Sequence, residues 1–166
     1  GIALDRRGGL IIADGTAHRI WRLDLATREL TAIAGTGVFG FSPDGTPALE
    51  AALGTPTGVA VAADGRIIFS ERSRHRIRVI DADGTLRTLA GTGVPGHRGD
   101  GGPANAAELD GPTGLALTGT VLYFADTGNN VVRSLDLGSG IIQAIAGSGV
   151  PAFGGDGGLA LFAQFR

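Results

Sequence analysis

The tetrapeptide Ala34-Gly35-Thr36-Gly37 returns as Ala90-Gly91-Thr92-Gly93 and again, with Ser for Thr, as Ala146-Gly147-Ser148-Gly149, each time 56 residues on. Asp44, Asp100 and Asp156 keep the same step inside DGTP, DGGP and DGGL. A period of this length restricts the chain to stacked supersecondary units, none of which can cover its apolar surface alone. Aligned on the repeat, the units run Gly1–Thr57, Gly58–Thr113 and Gly114–Arg166.

Each unit carries four short runs rich in branched side chains. In the second unit these are Val59-Ala60-Val61, Ile67-Ile68-Phe69-Ser70, Ile77-Arg78-Val79-Ile80 and Leu86–Ala90. Turn residues such as Ala63-Asp64-Gly65 and Asp83-Gly84 separate them, and no 3.6-residue period is present. Such runs predict an all-β chain of three four-stranded antiparallel meanders. The first two runs are apolar nearly throughout, so both sheet faces must be covered. Radial stacking of such sheets gives a β-propeller, with the alanine-alternating first run innermost, where the blades converge. About twenty residues of glycine-rich loop join one unit to the next. Each loop predicts a helical turn, at Pro47–Leu53, Pro103–Leu109 and Leu159–Phe165. Pro47 and Pro103 are expected at the first helical position, with Asp44 and Asp100 accepting free backbone N–H groups.

Composition removes several function classes. The formal charge is -2, which argues against a general polyanion binder, and all the basic residues are Arg. There is no Cys, hence no disulfide and no thiolate metal site. No run of about 18 apolar residues exists to span a membrane as a helix.

The string AGTGVPGHRGDGGPANAAELDGPTGLAL, with HRIRVID at His75–Asp81 and ADTGNNVVRSLD at Ala125–Asp136, resembles the NHL-repeat family of β-propellers. Its long-loop form is similar to repeats of large bacterial proteins and teneurin-like ectodomains. The resemblance covers all three units and implies a bacterial, extracytoplasmic or secreted setting. It implies protein binding, RNA binding or enzymatic activity, since the family contains all three.

Metal-centred propeller enzymes need carboxylates, amides or histidines at the starts of the innermost strands. Those starts read Pro56-Thr57-Gly58 and Pro112-Thr113-Gly114, so no metal or other cofactor is expected. Asp14, Glu71 and Asp126 end the second runs, with His18, His75 and Asn130 four residues on. Their expected role is to accept backbone N–H bonds and fix the turn. Arg72, Arg74, His75 and Arg76, continuing to Arg78, form the one basic cluster and the candidate ligand-binding residues. In an extended segment all four arginines would share a side. The other units lack the cluster and no aromatic platform adjoins it, so the expectation is a solvated turn with a local ion pair and no nucleic acid bound.

The expected function is therefore a non-catalytic binding or scaffolding module for a protein, peptide or glycan. The alternative is a fragment of a lyase- or lactonase-like propeller enzyme completed by other segments. Three blades cannot close a ring, and half of a six-bladed propeller is the natural reading. Two copies joined head to tail would continue the repeat, the Ala163–Arg166 end of one preceding the Ile2–Leu4 run of the other. The expected homodimer junction comprises Ile2, Leu4, Phe153, Leu161, Phe162 and Phe165.

Overall fold

Aspartates cut each unit into a meander by satisfying turn amides with their own carboxylates. Asp5 accepts the N–H groups of Arg7 and Gly9, and Asp24 those of Ala26 and Thr27. Asp83 does the same for Thr85, and Asp136 for Gly138 and Ser139. The computed structural model describes residues 1–165. The first unit folds into β1 (Ile2–Leu4), β2 (Gly9–Asp14), β3 (Arg19–Asp24) and β4 (Leu30–Ala34). The second folds into β5 (Pro56–Val61), β6 (Ile67–Glu71), β7 (Arg76–Ile80) and β8 (Leu86–Ala90). The third folds into β9 (Pro112–Thr118), β10 (Val121–Asp126), β11 (Val131–Asp136) and β12 (Ile142–Ala146). Every sheet is four-stranded, antiparallel and in chain order. The innermost strands β5 and β9 begin at Pro56 and Pro112, two residues before the unit boundaries drawn from the repeat.

Alternation along the strands supplies two cores, one between each pair of neighbouring blades. Ile11, Ile20, Ala34 and Leu53 of the first blade meet Val59, Phe69, Ile80 and Leu86 of the second. Ile68, Ile77, Val79 and Leu109 of the second meet Leu122, Phe124, Leu135 and Ile142 of the third. Strands β1, β5 and β9 lie side by side at the convergent inner edge. There Ser70 accepts the Gly58 N–H at 2.8 Å and donates to the Thr113 carbonyl at 2.7 Å, tying β5 and β6 to β9.

The long loops hold single turns of 3-10 helix, at Ala48–Glu50, Ala104–Ala106 and Ala160–Phe162, shorter than the sequence suggests. Pro47 and Pro103 stand just before these turns as N-caps rather than at their first position, both extended in ψ. Asp44 and Asp100 do not cap the turns. Their carboxylates reach the next blade, Asp44 accepting from Thr88 N–H and from Arg78, and Asp100 from Arg133. The loop backbone follows them across. Gly45 N–H donates to Leu86 O and Ala48 N–H to Gly84 O, and loop two repeats the bonds on Ile142 and Gly140. Loops one and two are thus straps that each fasten one blade to the outer strand of the following one.

Candidate interaction face

The turns from the second to the third strand and the interblade loops share one face. Arg72 N–H donates to Thr55 O and Ser73 N–H to Gly54 O, while Arg74 Nε donates to Gly40 O at 2.9 Å. The expected stripe of four arginines does not form, because the segment is not extended. Arg72–Arg74 make one 3-10 turn, His75 takes a left-handed conformation with φ 52°, and β7 starts only at Arg76. The chain reverses within the cluster and sends each arginine to a different task.

Arg74 lies over the Phe39 ring at 4.5 Å, and Arg76 over Phe41 at 4.4 Å while bonding the Thr92 carbonyl. Burial pulls the Arg76 guanidinium below its ordinary value, and the neighbouring Arg78 charge adds to this. The aromatic partners come from loop one, distant in sequence. Arg78 is not solvated at all: it is fully buried and bonds Glu71 at 3.1 Å, Asp44 at 3.2 Å and the Ser42 carbonyl at 3.1 Å. Arg133 repeats the arrangement with Asp126 at 3.2 Å and Asp100 at 3.0 Å. A register shift between the third and fourth strands falls beside both arginines, a bulge that aims the side chain at the incoming loop. Burial pushes the Glu71 and Asp126 carboxyls up, against the pull of hydrogen bonds from Gly54 N–H and from Asn129 and the Asp110 N–H, respectively. These acids close the blade junctions. Asp14, at the same place in blade one, accepts only the local Ala17 N–H among the described residues.

What remains open is a cleft of about 370 Å³ lined by Arg72, Ser73, His75, Asp110 and Thr127, between blades two and three. His75 Nδ1 accepts the Gly111 N–H at 3.1 Å, which fixes the ring and leaves Nε2 as the donor. Asp110 Oδ1 lies 3.3 Å from the same Nδ1. The Arg72 guanidinium has no hydrogen-bond partner among the described residues. Of the four candidate ligand residues, Arg72 and His75 therefore meet in one cleft, while Arg74 and Arg76 are held by loop one. Among the described residues, no three His, Cys, Asp or Glu side chains converge as a metal site. The glycine-rich loop around His97 is tied by Arg133 bonds to the His97 and Arg98 carbonyls and by an Asn129 bond to the Gly96 carbonyl.

The expected junction residues are bare: Ile2 is 67% exposed, Leu4 69%, Phe153 90%, Leu161 52%, Phe162 72% and Phe165 39%. Trp21, not among the residues expected at a site, stands on the same open face of blade one. Its pairing with Ala32 repeats the Arg78–Thr88 and Arg133–Ala144 pairings, so it occupies the position of the two buried arginines.

No family model matches the chain. It is 35% identical over 137 residues to the protein SUPPRESSOR OF QUENCHING 1, chloroplastic, of Arabidopsis thaliana, covering 78% of this chain and 13% of that protein. It is 34% identical over 104 residues to NHL repeat-containing protein 2 of Gallus gallus, covering 62% and 14%, and 28% identical over 93 residues to that of Homo sapiens, covering 56% and 12%. The chain thus spans about an eighth of the curated relatives it matches. Among solved structures, a Bacteroides thetaiotaomicron structural genomics protein superposes with a TM-score of 0.75 at 22% identity, over 99% of this chain and 39% of that one. Virginiamycin B lyase of Staphylococcus aureus gives 0.57 at 18% identity, over 87% and 39%. A chain of the nidogen–laminin complex gives 0.63 at 21% identity, over 88% and 47%. Three repeated blades with their interblade straps, and relatives named for the same repeat, place the chain in the NHL-repeat β-propeller family.

Proposed function

We propose that the chain is a non-catalytic NHL-type recognition module, half of a six-bladed ring closed by a second copy, that takes an acidic peptide segment of a partner protein at its loop face. The observation that carries this is the division of labour among its charges. The buried acids Glu71 and Asp126 are bound to arginine and backbone, and the His75 lone pair is held by Gly111, which leaves Arg72, a cation unpaired among the described residues, beside an imidazole donor. That set suits recognition of a carboxylate better than proton transfer, which needs a free base within reach of substrate. The likeness to virginiamycin B lyase favours a second reading, an enzyme whose site is completed by other blades.

Binding of short fluorescent peptides, acidic and neutral, followed by anisotropy, tests the proposal. Acidic peptides should bind at micromolar concentration and weaken roughly tenfold on Arg72→Ala, the loss of one charge-assisted contact, with the melting temperature unchanged. Turnover of a lactone or cyclic depsipeptide panel with no peptide binding would replace it by the second reading. RNA is not an expected ligand: within the basic cluster Arg78 is buried and Arg74 and Arg76 are laid over Phe39 and Phe41, which leaves Arg72 alone for phosphate, and the net charge is -2. Mixed-sequence RNA should show no submicromolar binding at physiological salt, and such binding, weakened by Arg74→Ala with Arg76→Ala, would show a cationic surface that these contacts do not disable.

A further inference from the structure

We propose that the junction between two copies replaces the buried arginine latch of the internal junctions with an aromatic one, in which Phe153 and Asp156 of one copy close on Trp21 and Arg19 of the other. The inference rests on the homodimer reading above and specifies its interface. The internal junctions supply the template, because the repeat maps one position onto the next. In loop one, Phe41 lies over Arg76 and Arg78 of blade two at 4.4 and 5.4 Å, with Asp44 bonded to Arg78. In loop two, the carbonyl of His97, at the Phe41 position, accepts from Arg133, and Asp100 bonds the same guanidinium. Loop three carries Phe153 and Asp156 at these two positions, with Phe153 standing in solvent.

The receiving positions on blade one are Arg19 for Arg76 and Trp21 for Arg78, the guanidinium of Arg19 lying over the indole at 5.4 Å. An indole is flat like a guanidinium and carries one N–H donor, which suits the Asp156 carboxylate, while its face and Arg19 suit the Phe153 ring. Asp14, with Trp21 at the position from which Arg78 bonds Glu71 and Arg133 bonds Asp126, fits a junction of this kind better than either of those buried acids would.

The backbone is matched as well. The loop-one strap pairs Pro47 with Thr85 and the loop-two strap pairs Pro103 with Ile141, at the start of the outer strand of the next blade. On blade one that start is Glu29-Leu30, with Leu30 exposed. Arg28 keeps there the left-handed turn of Gly84 and Gly140, with φ 66° against 82° and 73°. Leu159, at the Pro47 position of loop three, is equally exposed and extended, as the giving half of the strap. Trp21 on the first blade departs from the arginine series and Phe153 in the last loop fits it, and two parts of one chain that fit one another suit a second copy of that chain.

Trp21 is the only tryptophan, so its emission reports this junction alone. At micromolar concentration the whole chain should have twice the mass of 16.7 kDa, with blue-shifted emission protected from acrylamide. Phe153→Ala should raise the dissociation constant roughly tenfold, and the emission should shift red in step with the loss of mass. Phe153 is almost wholly exposed in the single chain, so its truncation cannot unfold the protomer, and an unchanged circular dichroism spectrum at high concentration checks this. A dimer whose Trp21 is freely quenched and indifferent to Phe153→Ala would overturn this junction and leave the six-bladed reading standing. A folded monomer of 16.7 kDa at that concentration would overturn both.

Discussion

Arg78→Met is expected to lower stability by about 3 kcal/mol at neutral pH, because it strands the buried Glu71 carboxylate without its cationic partner. The same deletion cuts the strap, since Arg78 also holds Asp44 and the Ser42 carbonyl of loop one. One guanidinium nitrogen, Nε, has no partner among the described residues, which keeps the loss at the lower end for a buried pair. The pH dependence carries the sign of the mechanism. Burial already holds the Glu71 carboxyl above its ordinary 4.5, and without Arg78 it rises further. A carboxyl raised in the folded state contributes stability that is full below its unfolded pKa and lost as pH rises through the folded value. The deficit of the variant should therefore be largest near pH 7 and narrow on acidification as Glu71 enters the core neutral. Urea unfolding of both proteins between about pH 4 and pH 7 measures this. A deficit that stays constant would mean that Arg78 acts through packing alone. Arg133→Met should behave alike through Asp126, whose carboxyl burial also raises.

The blades were legible because their signal is local. Period-two apolar runs bounded by Asp-Gly turns specify a meander whatever surrounds them, and the apolar runs of the sequence are strands in the structure. The repeat also implied the stacking, since sheets apolar on both faces have to be covered. The contacts between blades were not legible. Arg78 reads as the end of a basic turn until Asp44, 34 residues earlier, is placed against it. Likewise, Phe39 and Phe41 look like loop residues until they lie under Arg74 and Arg76. Charge pairs of that separation leave no periodicity to read. One signal of them does stand in the repeat: Arg78 and Arg133 align, Asp44 and Asp100 align, and Trp21 breaks the series. Of the candidate ligand residues, Arg72 and His75 are neighbours in the cleft because His75 takes the left-handed conformation, as His18 and Asn130 do at the same place in the other blades.

Gly91→Ala is expected to cost about 3 kcal/mol or more, although the change adds only one methyl group. Residue 91 sits at φ 91°, a conformation that L side chains rarely adopt, and entering it costs alanine on the order of 1–2 kcal/mol. A Cβ at this position would drive into the His75 carbonyl oxygen and come within 3.1 Å of the Arg76 Cα, both backbone atoms at the start of β7. Neither can swing aside as a flexible side chain would, so overpacking adds roughly another 1–3 kcal/mol. The glycine holds this place because its own N–H donates to Ala104 O at 3.0 Å, while Thr92 N–H donates to Ala107 O at 2.9 Å, docking the 3-10 turn onto β8. Gly35 and Gly147 make the same bonds to Ala48 and Ala160, and a Cβ on either would meet the carbonyl of His18 or Asn130. The repeated AGTG is thus a docking element for the strap, and its first glycine is fixed by backbone space. Gly101→Ala is the control, since residue 101 also has a positive φ, of 78°, but nothing lies within 4 Å of the place its methyl group would take. Chemical denaturation should show Gly91→Ala losing at least about 1 kcal/mol more than Gly101→Ala. Equal losses would mean that backbone strain alone, and not the approach of β7, keeps glycine in the motif.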